Sequence, residues 1–188
     1  MRTPPPQVPI RKSPNNLGKA IETDQQIPLA ESISLYFHDY EDTNWNHESY
    51  EKLADMRTAE EYWTVFNELK HKLCMGMFFF MKENTFPRWD ETEDSDLKYM
   101  FVSAKVLKQK IEGFVEHAMM KLISGSLLNK SADGAAIRGL SISPKKHFCI
   151  VKIWIAIDSE TPAQTMRTLR NEKSYDLEKI YHGSLIFK

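Results

Sequence analysis

What this sequence lacks narrows it quickly. Its two cysteines, Cys74 and Cys149, form neither a metal-ligand spacing nor a disulfide framework, so a reducing compartment is the default expectation. The six histidines (38, 47, 71, 117, 147 and 182) are scattered, with no pair at a helical or hairpin spacing that would hold a metal. Glycine is sparse, seven residues in 188, and none builds a phosphate-cradling loop or a nucleophile elbow. No apolar run approaches the roughly 20 residues of a membrane span, and the N-terminal stretch has no apolar centre of a signal peptide. An excess of one charge is also missing. The net charge is −1 and the pI near 6.6, which excludes a general nucleic-acid coat and leaves room for one localised phosphate contact. From these absences we expect a soluble intracellular protein, cytoplasmic with a nuclear pool allowed, and neither enzyme chemistry nor a cofactor.

What is present is enough chain for one domain with a real core. Residues 1–26 carry five prolines (4, 5, 6, 9 and 14). Such a segment buries too little apolar area to offset its ordering entropy, so a disordered tail is expected, followed by a single domain over 27–188. Ser32 to His38 alternates as a strand, and order begins near Ile27-Pro28-Leu29. Thr58-Ala59-Glu60-Glu61 is a capping box and predicts a helix to about Lys72, with Ala59, Tyr62, Phe66, Leu69 and Leu73 facing the core. Met77 to Lys82 is a strand so apolar that both of its faces need cover. Leu97 to Ser103 is the next strand. A second helix is predicted over Lys105 to Ser124, its stripe including Leu107 and Ile111 and its stop at Gly125. Ala135 to Ser143 and Phe148 to Ile157 form a hairpin, with Pro144 at the first corner of the turn and Lys145 and Lys146 at its tip. Thr161-Pro162 opens a third helix, and short strands at 177–181 and 184–187 end the chain. This order predicts an α+β layer, an antiparallel sheet with three helices on one face.

The four tryptophans carry the functional question. Trp89 stands in Phe86-Pro87-Arg88-Trp89-Asp90-Glu91. It reads either as a core residue beside solvated acids or as a stacking plate with a carboxylate beside it. Trp45, among Asp42, Thr43, Asn44, Asn46 and His47, is either covered by its own loop or held at the loop tip to meet a ligand. Trp63 lies roughly 90° from the centre of its helix's apolar stripe; it borders the core or anchors a partner. Trp154 shares a strand face with Lys152 by alternation.

Taken together, these pieces resemble the eukaryotic translation initiation factor 4E family, which binds the 7-methylguanosine cap of messenger RNA. The resemblance covers about residues 27–157. It is carried by Pro28-Leu29, Asn44-Trp45-Asn46, the run from Thr58 to Asn67, Pro87-Arg88-Trp89-Asp90-Glu91, Met119-Met120-Lys121-Leu122-Ile123 and Ile153-Trp154. It implies a curved sheet of about eight antiparallel strands, backed on its convex face by three helices, with the cap in the concave face. Trp45 and Trp89 would sandwich the methylated base, whose positive charge strengthens its attraction to indole faces, by about 1–2 kcal/mol per desolvated contact. Asp90, where the family has Glu, would accept from the guanine edge; Glu91 is the alternative. Trp154 would pack against the methyl group. The cap triphosphate would meet Lys145, Lys146, Lys152 or Arg138, where the resemblance loosens because the hairpin needs a gap. On the convex face Pro28, Leu29, Ala59, Trp63 and Met120 fall where the family docks a Tyr-x4-Leu-apolar helix of the scaffold factor 4G or of repressors. Ala59 and Met120 replace larger or branched residues there. The departures describe a divergent, short member, a monomer or a heterodimer with its partner.

Two other functions fit the same residues. One is an interaction module of this fold that keeps the Trp63 surface and has lost useful cap affinity. The other is an aromatic cage for a methylated-lysine peptide, which needs no phosphate contact.

Overall fold

In the computed structural model the described residues are 26–82, 85–87, 98–127, 135–157 and 185–187. Among them, seven strands build one antiparallel sheet: β1 Pro28–His38, β2 Glu51–Thr58, β3 Met77–Lys82, β4 Lys98–Leu107, β5 Ala135–Pro144, β6 Phe148–Ile157 and β7 Leu185–Phe187, in the spatial order β2-β1-β3-β5-β6-β4-β7. Two α-helices, α1 Ala59–Leu69 and α2 Ile111–Ile123, pack on the sheet. The expected tail through residue 25, the third helix opening at Thr161-Pro162 and the strand at 177–181 lie outside the described residues.

Alternation sorts the strand side chains onto two unlike faces. Ile33 and Leu35 of β1, Phe78 and Phe80 of β3, Leu140 and Ile142 of β5, and Val151, Ile153 and Ile155 of β6 join Tyr62, Phe66, Phe114, Val115 and Met119 of the helices in one large core. Phe79 and Met81 of β3 and Trp154 of β6 point the other way and form a second, smaller cluster with Tyr36, Tyr50, Met77 and Phe101. Both described helices therefore cover one face, and the opposite face is aromatic. Gly139 is required where β5 pairs with β3, because a Cβ there would collide with the Phe80 carbonyl oxygen.

The helix termini follow from local chemistry. Thr58 ends β2 in extended geometry and its hydroxyl accepts from the Glu61 amide (3.2 Å), while the Glu61 carboxylate accepts from the Thr58 amide (3.2 Å); this is the capping box the sequence spelled out. At the end of α2, Gly125 takes φ +67°. The Ser126 amide then donates to the Lys121 carbonyl (3.0 Å) and the Gly125 amide to Leu122 (3.2 Å), the paired bonds of a Schellman stop.

Four sequence expectations need correction. β1 begins at Pro28, not Ser32. β2 was not expected at all, because Glu51, Lys52, Asp55 and Arg57 make it read as polar surface; it is an edge strand of which only Met56 is fully buried. The helix expected from Lys105 starts at Ile111. Lys105 and Leu107 are exposed and alternate with buried Ala104 and Val106, so strand periodicity persists to Leu107, and Leu107 is not on the helix stripe. Pro144 is the last residue of β5, paired with Cys149, rather than a corner of the turn.

Candidate functional site

A cavity of about 320 Å³ opens on the aromatic face of the sheet, within the usual range of about 300–1,000 Å³ for small-ligand sites. Its walls are the rings of Tyr40, Trp45, Tyr50, Phe79 and Trp154, with Met77, Pro87, Pro144 and Ile150. Its polar lining is Ser141, Ser143, Lys145 and Lys152. Two cations, no described carboxylate and a set of π faces suit a flat ligand that carries negative charge at one end.

Trp45 is held by a loop whose polar residues do the folding. Asp39, Asp42 and Asn44 each accept, through the side-chain oxygen, from the backbone amide two residues on: Glu41 at 2.9 Å, Asn44 at 2.8 Å and Asn46 at 3.0 Å. Such Asx turns let a short chain reverse without strands to support it. Beneath the loop lies His38, fully buried. Its imidazole stacks on the Trp45 indole, centroids 4.2 Å apart and planes 6° from parallel. Nδ1 of His38 is 2.7 Å from the Asp39 carbonyl oxygen and Nε2 is 2.8 Å from that of Asn44, so the ring bridges the two ends of the loop. One side of the indole is thus occupied. The ring is still 48% exposed and lines the cavity, so Trp45 is not a core residue.

Trp154 is nearly closed in. Phe101 and Phe79 meet it edge-on at 4.9 and 6.4 Å, and its indole N–H donates to the Ser141 hydroxyl at 2.9 Å. That bond satisfies a buried donor and fixes the ring's rotation at the cavity floor. Lys152 lies on the same strand face, its Nζ 5.6 Å from the centre of the Phe101 ring. Tyr40 donates its hydroxyl to Glu41 (3.0 Å); that hydrogen bond, with the Glu41 charge, raises the phenol's pKa.

Of the residues singled out from sequence, Trp45, Trp154, Lys145 and Lys152 therefore meet in one cavity. Lys146 is exposed in the β5–β6 turn, and neither it nor Arg138 is among the lining residues. Arg138 occupies a bulge: Ile137 pairs with Ile155 and Gly139 with Trp154, leaving Arg138 as the extra residue. Trp89, Asp90 and Glu91 lie outside the described residues. Sequence reading missed His38, Tyr40, Tyr50, Phe79 and Ser141. The available signal was β3, apolar on both faces, which requires that the second face also carry a cluster.

On the helix side, the start of β1 is tied to α1. The Ala59 amide donates to the Ile27 carbonyl (2.8 Å), the Ile27 amide to the Glu60 carboxylate (3.0 Å), and Pro28 pairs with Thr58. This brings Pro28, Leu29 and Ala59 to the helix N-terminus. Trp63, one turn later, is half-buried and edge-on to Tyr62 and Phe66. Met120 is 48% exposed on α2, next to fully buried Met119.

The sequence profile described as Eukaryotic initiation factor 4E matches residues 28–180. The chain belongs to that family. No curated protein matches it by sequence, but solved structures of initiation factor 4E share its fold. A schistosome eIF4E, solved with m7GpppA and 4E-BP, superposes with a TM-score of 0.67 at 17% identity, covering 87% of each chain. C. elegans eIF4E-3, solved with the 4E-binding protein Mextli and a cap analogue, gives 0.68 at 13% identity over 87% of this chain and 92% of that one. Ascaris suum eIF4E-3 with an m7G cap gives 0.65 at 16% identity over 87% and 91%. At such identities the 4E fold is what is shared. Among the described residues no cluster of His, Cys, Asp or Glu could hold a metal, and no helix is long and apolar enough to cross a membrane.

Proposed function

We propose that this initiation factor 4E member binds the 7-methylguanosine cap of messenger RNA in the cavity of the aromatic sheet face. The observation that carries the reading is Trp45, half-exposed and backed by a buried imidazole, facing the same cavity as Trp154, Lys145 and Lys152. A purine methylated at N7 carries a positive charge, and an exposed indole face attracts it where a neutral guanine gains less. Trp89 serves as the second plate and Asp90 as the acceptor for the guanine edge. Trp154 shapes the end of the slot that receives the methyl group. Lys145 and Lys152 take the phosphates, with Lys146 and Arg138 outside the base pocket. The schistosome, C. elegans and Ascaris proteins, solved with cap or cap analogues, support this assignment.

On the helix side, Pro28, Leu29, Ala59, Trp63 and Met120 receive an amphipathic helix from a scaffold factor of the 4G type or from a regulatory protein. Two of the relatives were solved with 4E-binding proteins, which supports a partner there. Retention on immobilised 7-methyl-GTP tests the cap assignment. The protein is expected to bind, to be released by free 7-methyl-GTP, and to bind less as salt rises. Retention that GTP releases equally well, or that ignores salt, overturns it.

A further inference from the structure

The Trp45 loop does not stand alone. Phe86, in the short described segment 85–87, packs against three rings at once. The His47 imidazole stacks on it with centroids 4.0 Å apart and planes 11° from parallel. Tyr50 meets it edge-on at 5.1 Å and Tyr36 at 5.4 Å. His47 and Tyr50 follow Trp45 in the chain, and Tyr50 continues the series to His38 (4.9 Å) and to Trp45 itself (6.4 Å). Directly after Phe86 comes Pro87, buried and lining the cavity. The Thr85 amide donates back to the Lys82 carbonyl at the end of β3 (3.1 Å), so the residue before Phe86 is tied to the sheet.

We propose that Phe86 is a positioning residue for the candidate site, clasping the loop that carries Trp45 to the segment whose Pro87 lines the same cavity. A loop made of Asx turns has few apolar contacts of its own, and such loops sample many conformations unless packed. The stack with His47 and the edge contact with Tyr50 give this loop a fixed apolar partner outside its own sequence. The cavity width on this side is therefore set by ring packing between two separate chain segments. The consequence for ligand binding rests on the cap assignment; the clasp itself does not.

Hydrogen–deuterium exchange of the full chain without ligand tests the clasp, and 7-methyl-GTP dissociation kinetics test what it does. Phe86→Ala is expected to raise exchange across 39–50 several-fold while α2 stays as protected as in the parent protein. It is also expected to weaken 7-methyl-GTP binding by about three- to tenfold, mainly through faster dissociation. Phe86→Tyr, which keeps the ring, restores both. His47→Ala, at an exposed position outside the strands, shows the same changes at smaller size and decides the matter should Phe86→Ala fail to fold. Unchanged exchange across 39–50 in both alanine variants overturns the clasp, as does raised exchange with unaltered dissociation for its positioning role. If the parent protein binds no 7-methyl-GTP, the cap assignment falls and exchange alone still decides whether the clasp exists.

Discussion

The two faces of this sheet are made by alternate residues of the same strands, yet they differ in nearly every physical respect. The helix-covered face is filled by Leu, Ile, Val and Phe side chains that are almost wholly buried. The opposite face gathers Tyr36, Tyr50, Phe79, Phe101 and Trp154 around a cavity with two lysines and two serines in its wall. Burial on the first face supplies stability. The second leaves π faces and polar groups accessible, and it is there that ligand chemistry is possible. Stability and binding can thus be separated by face, and substitutions should fall into two classes accordingly.

The largest effect is expected on the helix face. Phe66 is fully buried and in contact with Tyr62 and Trp63, so Phe66→Ala should cost about 3–5 kcal/mol in urea denaturation. A cost below that of a surface substitution would mean the core has been placed on the wrong face. Next is Ser141→Ala, which leaves the buried Trp154 indole N–H without its partner. A loss of about 1–3 kcal/mol is expected, together with a shifted Trp emission, since the substitution lies on the face that joins packing to binding. Trp45→Ala should show the reverse pattern: stability within about 1 kcal/mol of the parent protein, because the ring is half-exposed, and 7-methyl-GTP affinity down about tenfold.

The smallest expected effect is one of pH. Burial on the helix face, with Cys74 Sγ 3.7 Å away, pushes the Cys149 thiol up to about 12, against about 8.5 in an unfolded chain. The folded state therefore keeps a proton that the unfolded state gives up. Stability from this group is complete below about pH 8.5 and declines as pH rises toward 12. Melting temperature should fall between about pH 9 and 11, and less steeply in Cys149→Ala. Part of the decline should remain, because burial raises the Tyr62 phenol in the same direction. An identical slope in the variant would contradict burial of the thiol.

Much of the helix face was legible in the sequence because its signals are local. Thr58 and Glu61 spell a cap, Gly125 a stop, and Tyr62, Phe66 and Leu69 a stripe with helical period. The open face was legible only through its tryptophans. His38 reads as one more polar alternation at a strand end, and nothing nearby in sequence shows that Trp45 folds back onto it. Phe79 and Ser141 become site residues through the pairing of β3 with β5, and Tyr50 through a loop that returns to β1; both are long-range facts. β2 was invisible because an edge strand with one buried side chain, Met56, carries no period to read. The early placement of the second helix had a similar origin. Leu107 and Ile111 stand four apart and imitate a helical stripe, while the burial of Ala104 and Val106 keeps the strand going.

The cap assignment requires that the open aromatic face prefer a positively charged purine. Equilibrium titration of the full chain with 7-methyl-GTP and with GTP, by Trp fluorescence at one salt concentration, tests this most directly. The expected result is saturable quenching by 7-methyl-GTP, with GTP at least about tenfold weaker and the quench diminished in Trp45→Ala. Equal affinities for the two nucleotides, or a quench unaffected by loss of Trp45, would contradict it.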